Sequence, residues 1–411
     1  MKAAGIARAL VLTTALTVIG MLFAGVTGAA PLVRPMNLDA DGMAVDGTDI
    51  YWSRDHMVGP GSYEEILYRG SFLDKSKVEL ARFGRKSWET VEGISAGGGY
   101  VAVSLNNEFF GSGSKTSAPT TRVIRFSRDG SRRDVIATGR IDTAGQSAHI
   151  VKRGVAYLND CGTRVSALST SATGSVVIGQ VTGERNSERC GGKKNVDHWR
   201  YYEQRLDGTQ REIFAKDRLV KLSYKRLKHG RSWTDTSGSE ALVSAELIGD
   251  RALIRSATSI QYFVRDLNTG TLSTSFDFPA KPGSILTTAS MALNGSVALN
   301  GFFADKKSGV ILRAGVFPTA APSNFKEAAR DTELNFCGSH LISTPFDTRK
   351  IFELDPVTLA PVRTVGMRPT ELSLIFGIEL GCDDDYLYGV DVKERPDGED
   401  LSVSLLAYPL K

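Results

Sequence analysis

The chain has 411 residues, with 50 Lys and Arg against 46 Asp and Glu, 41% hydrophobic residues and four cysteines. A net charge of +4 is too near balance for a protein built to hold nucleic acid, which shows a basic stripe. The length would serve two or three ordinary domains or one repeat fold, and no Pro- or Ser-rich linker divides the chain.

In chain order, Lys2 and Arg8 precede the apolar run "ALVLTTALTVIGMLFAG", and "VTGAA" follows with the small residues a signal peptidase reads. Residues 1–30 are therefore expected to be a secretory signal cut after Ala30, the alternative being an uncleaved N-terminal anchor. Without Lys2 and Arg8 the count is 48 basic to 46 acidic residues, a net of +2. No later run is long enough to span a membrane, so the expectation is an exported, soluble monomer.

The stretch "GMAVDGTDIYWSRD", Gly42 to Asp55, alternates apolar and polar residues on both sides of an Asp-Gly bend. The same strand–turn–strand pattern returns in "ISAGGGYVAV", "HIVKRGVAYL", "AELIGDRALI", "MALNGSVALN", "LNFCGSHLIS" and "IELGCDDDYLYG". The bends at Gly47, Gly98, Gly154, Gly249, Gly295, Gly338 and Asp384 are 51, 56, 95, 46, 43 and 46 residues apart. Each is followed by a second two-strand pattern, as in "TRVIRFSRDGSRRDVIATG", "YYEQRLDGTQREIF" and "RKIFELDPVTLAPVRTV". Four strands at this period predict an all-β β-propeller of seven four-stranded blades over residues 31–411. The gap of 95 residues predicts a long insertion in the third blade, about 162–198, or an eighth blade. The last unit offers three strands, and "PLVRPMNLD" after the signal is expected to supply its fourth and close the ring.

The "VDGTDIYWSRD" blade resembles bacterial secreted propellers that carry "VDG" turns followed by "YW", related in pattern to the YWTD and TolB-like families. Ser53-Arg54 stands where that pattern has Thr-Asp, and the other units lack the tetrad. The resemblance implies the architecture and no catalytic residue; propellers serve as lyases, glycosidases and binding scaffolds alike.

Four cysteines in an exported chain imply two disulfides, with three pairings open. A Cys161–Cys190 bridge would tie the insertion to its blade, and Cys337–Cys382 would clip neighbouring blades. No CxxC or paired-His spacing points to a metal. "NLDADGMAVDGT" begins like a calcium loop but has Thr48 where a bidentate acid is needed. There is no GxSxG, HExxH or Walker loop, so neither cofactor nor catalytic residue is assigned.

Two stretches, "GRKSWET" and "GRSWTDT", each bring Arg, Trp and an acid together ahead of a unit's first strand. In a propeller that connection lies on the face that receives ligands. Arg85, Trp88, Arg231 and Trp233 are thus candidate ligand contacts, by guanidinium pairing and aromatic stacking. Arg54 and His56, with His198 and Trp199 of "DHWR", are expected on the same face. The basic run Lys221–Arg231 reads as a solvated face or loop. The sequence favours a binding or scaffold propeller for an extracellular protein, peptide or glycan. The alternative is a polysaccharide hydrolase or lyase using His56, His198 and nearby carboxylates.

Overall fold

The structure, a computed structural model, describes residues 30–36, 42–59, 62–74, 76–84, 89–106, 120–142, 161–184, 193–219, 222–227, 230–235, 242–256, 261–272, 276–277, 285–305, 309–317, 326–329, 332–345, 347–368, 382–394 and 401–411. The expected signal, the hairpin "HIVKRGVAYL", Arg85, Trp88 and Cys190 lie outside them. Among the described residues every regular element is a strand, and no helix is long and apolar enough to cross a membrane.

The first strand, β1 (Leu32–Met36), belongs to the last blade. Blade one is β2 (Gly42–Asp46), β3 (Asp49–Gly59), β4 (Ser62–Ser71) and β5 (Lys77–Phe83). Blade two is β6 (Thr90–Gly97), β7 (Tyr100–Asn106), β8 (Thr120–Ser127) and β9 (Arg133–Asp142). Blade three is β10 (Cys161–Thr170), β11 (Val176–Glu184), β12 (Val196–Gln204) and β13 (Gln210–Leu219). A separate hairpin follows, β14 (Leu222–Leu227) with β15 (Gly230–Asp235). Blade four is β16 (Leu242–Ile248), β17 (Arg251–Ser256), β18 (Gln261–Asp266) and β19 (Phe276–Asp277). Blade five is β20 (Ile285–Met291), β21 (Val297–Asp305), β22 (Gly309–Phe317) and β23 (Lys326–Glu327). Blade six is β24 (Thr332–Cys337), β25 (His340–Pro345), β26 (Lys350–Leu354) and β27 (Pro361–Met367). Blade seven holds β28 (Tyr386–Glu394), β29 (Leu401–Pro409) and β1, with a Cys382–Leu387 bridge on its inner side.

The seven blades form a ring because each hydrophobic cluster is shared by two consecutive blades. Tyr51, Leu67 and Phe83 of blade one pack with Val101, Val103 and Phe126 of blade two. The series continues from blade two to three around Val123 and Ile178, and from three to four around Tyr201 and Ile254. It runs on through Leu253 and Leu299, Val316 and Leu334, then Ile342 and Leu406. Ile50 and Trp52 with Tyr388 and Leu405 bring it back from blade seven to blade one. Strand alternation explains this: Ile50 and Tyr51 point to opposite faces, so each sheet buries both of its faces against different neighbours.

The turns follow the sequence signal. Gly47, between β2 and β3, has φ 58°, and Gly98, between β6 and β7, has φ 60°. Only glycine reaches that region without a steric penalty. At Gly98 a Cβ would also stand 2.5 Å from backbone atoms of Ala172 and Gly174. These inner turns are bonded from blade to blade. Asp46 accepts the Gly99 N–H at 2.7 Å, and Asp383 accepts the Gly47 N–H at 3.1 Å. Burial, together with the charges of Asp383 and Asp49, holds the Asp46 carboxyl above its ordinary range, against the Gly99 hydrogen bond. A carboxyl raised on folding favours the native state below its unfolded pKa and loses that contribution as pH climbs through the folded pKa. Asp46→Asn keeps an oxygen for Gly99 and sheds the charge. It should raise the urea midpoint at pH 7 and leave it unchanged near pH 3; a fall at pH 7 would contradict the account.

The ring closes as the sequence implies. β1 pairs antiparallel with β29, Leu32 opposite Ala407 and Met36 opposite Val403. Its Arg34, 9% exposed, crosses to blade one and donates to the carbonyls of Ser71, Asp74 (3.0 Å) and Ser76 (2.8 Å). Arg34 occupies the space a Cβ on Gly70 would need, at 2.6 Å from its guanidinium, so Gly70 forms part of the socket.

Two expectations change. Residues 162–198 are not an insertion: they carry β10, β11 and the start of β12, two of them the inner strands of blade three. Their Ser, Thr and Gly content hides the strand alternation. The extra element comes later, as the β14–β15 hairpin, and the basic run Lys221–Arg231 supplies most of it. Of the disulfides, Cys337–Cys382 is present and joins the inner side of blades six and seven. Cys161 is also disulfide-bonded.

Candidate binding site

In every blade the first strand starts, and the second ends, at the end that carries the connections between blades. Arg54 and His56 near the end of β3, and His198 and Trp199 near the start of β12, lie toward this end on two different blades, and they do not meet in one place. His56 is exposed on β3 opposite Glu64 of β4. By alternation His56 and Arg54 share the face of Ile50 and Trp52, which looks toward blade seven. His198 lies on β12 of blade three, on the face of Tyr202, which looks toward blade two. Its Nδ1 is 2.9 Å from Asp217 Oδ1 and its Nε2 is 3.7 Å from Glu184 Oε2. Hydrogen bonds from His198, and then from Arg200 at 3.0 Å, hold the Asp217 carboxyl below the usual range. This is an exposed ion-pair network within one blade, and His56 belongs to another sheet. Arg231 and Trp233 lie on β15 opposite Arg226 and Tyr224 of β14, paired as a hairpin outside the blades.

Next in sequence to Arg85 and Trp88, which lie outside the described residues, Glu89 is buried and ion-paired with Arg122 of β8. Glu65 accepts the Val91 N–H at 2.6 Å, fixing the entry into blade two. The acids here serve the joint between blades one and two. Among the described residues no group of three His, Cys, Asp or Glu could hold a metal ion.

Trp199 stands apart. It and Tyr201 occupy alternate positions on β12, on the face toward blade four, while His198 points the other way. With other residues of blade three, and with Glu92 and Thr121 of blade two, they line a cavity of about 200 Å³. Leu168 and Val181 add apolar surface; Glu92, Thr121, Arg164 and Ser166 add both charges and two hydroxyls. Thr121 Oγ accepts the Val165 N–H at 2.9 Å, which leaves its own O–H as a donor. Glu92 is steadied by the Asn106 amide, which donates to it at 2.5 Å. Gly179 faces Tyr201 across the β11–β12 pair, and a Cβ there would come within 3.2 Å of the Tyr201 ring and 3.1 Å of Leu168. The Trp199 indole N–H is itself covered and has no acceptor. The lining thus combines two aromatic rings with polar groups of mixed sign.

No protein-family model matches the chain, and neither does any curated protein sequence. The fold is a seven-bladed β-propeller. Solved structures similar to it include the polysaccharide lyase Uly1, at 11% identity over 91% of this chain and 90% of that one, TM-score 0.47. An oligogalacturonate lyase from Vibrio parahaemolyticus aligns at 8% identity over 93% and 98%, TM-score 0.44. A chain of a nidogen/laminin complex aligns at 12% identity over 80% of both chains, TM-score 0.30. At such identities the likeness concerns architecture alone.

One further carboxyl escaped the sequence reading. Glu246, on β16, the inner strand of blade four, is reachable by solvent yet hemmed in by protein, and the lost hydration pushes its pKa up to about 7.

Proposed function

We propose that the protein is an exported propeller whose loop end binds part of an extracellular polymer, a glycan or a peptide, as a recognition module. The observation that carries this reading is the cavity walled by Trp199 and Tyr201. Small concave sites with aromatic walls and a few placed polar groups are the usual form of a ligand pocket. The signal-like residues 1–30 and the Cys337–Cys382 disulfide support export, since such bonds persist in oxidising compartments.

The test is a thermal-shift screen of the exported chain against cell-wall glycans and peptides, run beside Trp199→Ala. A true ligand at about 100 Kd should raise the wild-type midpoint by about 5 °C, from ~2.7 kcal/mol at ~2 °C per kcal/mol for a large domain, and should leave Trp199→Ala unmoved. Equal shifts in both proteins would place binding elsewhere.

A catalytic reading has its own support in Glu246, whose carboxyl, poised near neutral pH, suits general acid–base work. The same screen assayed for product release separates the two: turnover lost in Glu246→Gln would favour an enzyme.

A further inference from the structure

We infer that the β14–β15 hairpin, whose register sets Arg226 opposite Arg231 and Tyr224 opposite Trp233 on one face, docks an acidic glycan through its uronate units. The hairpin shares no residue with the Trp199–Tyr201 cavity, and its role stands without that cavity.

The hairpin occupies the connection between the outer strand of blade three and the inner strand of blade four. Among the described residues its two strands pair with each other and join no blade sheet. Alternation divides it into two faces. One carries Leu222, Tyr224, Arg226, Arg231, Trp233 and Asp235, and the other carries Lys225 opposite Ser232. Directly opposite residues of an antiparallel pair hold their Cβ atoms about 4.5–5.5 Å apart, and like charges placed so are destabilising. The Arg226–Arg231 register therefore lowers stability unless an anion joins the pair. No acid of the hairpin serves: Asp235, its only one, lies at the other end of the face, beyond the aromatic pair. The run from Lys221 to Arg231 contains Lys221, Lys225, Arg226, Lys228 and Arg231 and no Asp or Glu.

The aromatic pair decides the class of anion. Tyr224 and Trp233 are two residues along their strands from the arginines, about 6.8 Å. A uronate carries both complements within one unit. Its C–H face suits an aromatic ring, and the carboxylate fixed to that ring can take a guanidinium in two parallel hydrogen bonds. An acidic peptide brings its carboxylates on flexible stems and leaves the aromatic pair to a different residue. A lipid surface calls for the opposite order. An element that docks on lipid buries its aromatic residues deeper than its charges, whereas here the arginine pair is nearer the hairpin tip than Tyr224 and Trp233.

Calorimetric titration of residues 31–411 tests this in calcium-free buffer. The probes are hexamers of mannuronate and of guluronate, the same hexamers reduced at the carboxyl to neutral sugars, hexaglutamate, and phosphatidylglycerol vesicles. A uronate hexamer should bind about tenfold or more tightly than its reduced form, the scale of hydrogen bonds to a charged group, and more tightly than hexaglutamate or the vesicles. The Arg226→Gln, Arg231→Gln double variant should lose about the same factor, and Trp233→Ala about threefold or more. Lys225→Gln removes a charge from the other face and should stay within about twofold of wild type. Arg231→Gln alone should melt no lower than wild type, because it relieves a like-charge pair, and this reads the register without any ligand. A clearly lower midpoint would show that Arg231 already has a structural partner and would contradict the inference. Equal weakening in Lys225→Gln and the double variant would reduce the binding to diffuse charge attraction and overturn it. Tighter binding of hexaglutamate or the vesicles would overturn the glycan. Uronate binding lost in Trp199→Ala but kept in the double variant would overturn this site and leave the cavity reading standing. Absence of binding by either uronate would overturn the inference whatever the cavity binds.

Discussion

A chain lacking residues 31–36 is expected to melt 10 °C or more below residues 31–411, on the order of 5 kcal/mol at 2 °C per kcal/mol for a large domain. The closing strand gives five paired positions to β29 and one side chain to the opposite side of the seam. Without it the β28–β29 sheet ends in an unpaired edge, which invites pairing with another chain. Blade one loses Arg34 from its socket, where the carbonyls of Ser71, Asp74 and Ser76 and the ring of Trp52, 5.6 Å away, surround the guanidinium. Arg34→Ala isolates the second effect and should cost about 3 kcal/mol, the scale of hydrogen bonds from a charged donor. Differential scanning calorimetry of both variants measures the two contributions. An unchanged midpoint in the truncated chain would mean that the ring does not close through β1.

The second large effect concerns the disulfide across the joint between blades six and seven. Cys337–Cys382 encloses 45 residues and links blade six to blade seven, beside the seam. Loop-closure entropy for that span gives about 4 kcal/mol of stabilisation. The Cys337→Ala, Cys382→Ala double variant should lose that amount in denaturant melts. The loss should show as a lower midpoint with a slope equal to or steeper than wild type, because the unfolded chain without the cross-link exposes at least as much surface. A loss below about 1 kcal/mol would show that the blade joint is already constrained without the bond. Cys337 is fully buried among Ile342, Ile351 and Leu406, so alanine also leaves a small cavity, and Cys337→Val controls for it.

Much of the architecture was legible, and the reason is local. Bends such as Gly47 and Gly98 need positive φ, so their place in the chain is written in residue type. Two-residue turns between alternating arms then fix the hairpins around them. Ring closure was legible because the last unit lacked one strand and the residues from Pro31 on lacked a partner of their own. Blade three was misread where that logic fails: "CGTRVSALSTSATGSVVIGQV" is strand built from Ser, Thr and Gly, whose burial comes from neighbouring blades rather than from its own composition.

The site was legible only in part, for a different reason. Trp199 was among the expected contacts, but His198 beside it faces the other side of the sheet, because side chains in a strand alternate. Thr121, Arg164, Gly179 and Tyr201 carry no motif, and blades two and three bring them together across 80 residues of chain. One signal was available in hindsight: a glycine within one strand and an aromatic at i and i+2 in the next mark a site where the backbone leaves room. Arg231 and Trp233 shared a motif with Arg85 and Trp88, yet they entered a hairpin of their own.

The most direct test is hydrogen exchange of residues 31–411 with and without a saturating glycan or peptide that raises the midpoint in the thermal-shift screen. The account predicts added protection in Cys161–Thr170, Val176–Glu184 and Val196–Gln204 of blade three, with blades five and six unchanged. Protection confined to the inner turns around Gly47 and Gly338, or spread evenly over all seven blades, would contradict a binding site at the cavity lined by Trp199 and Tyr201.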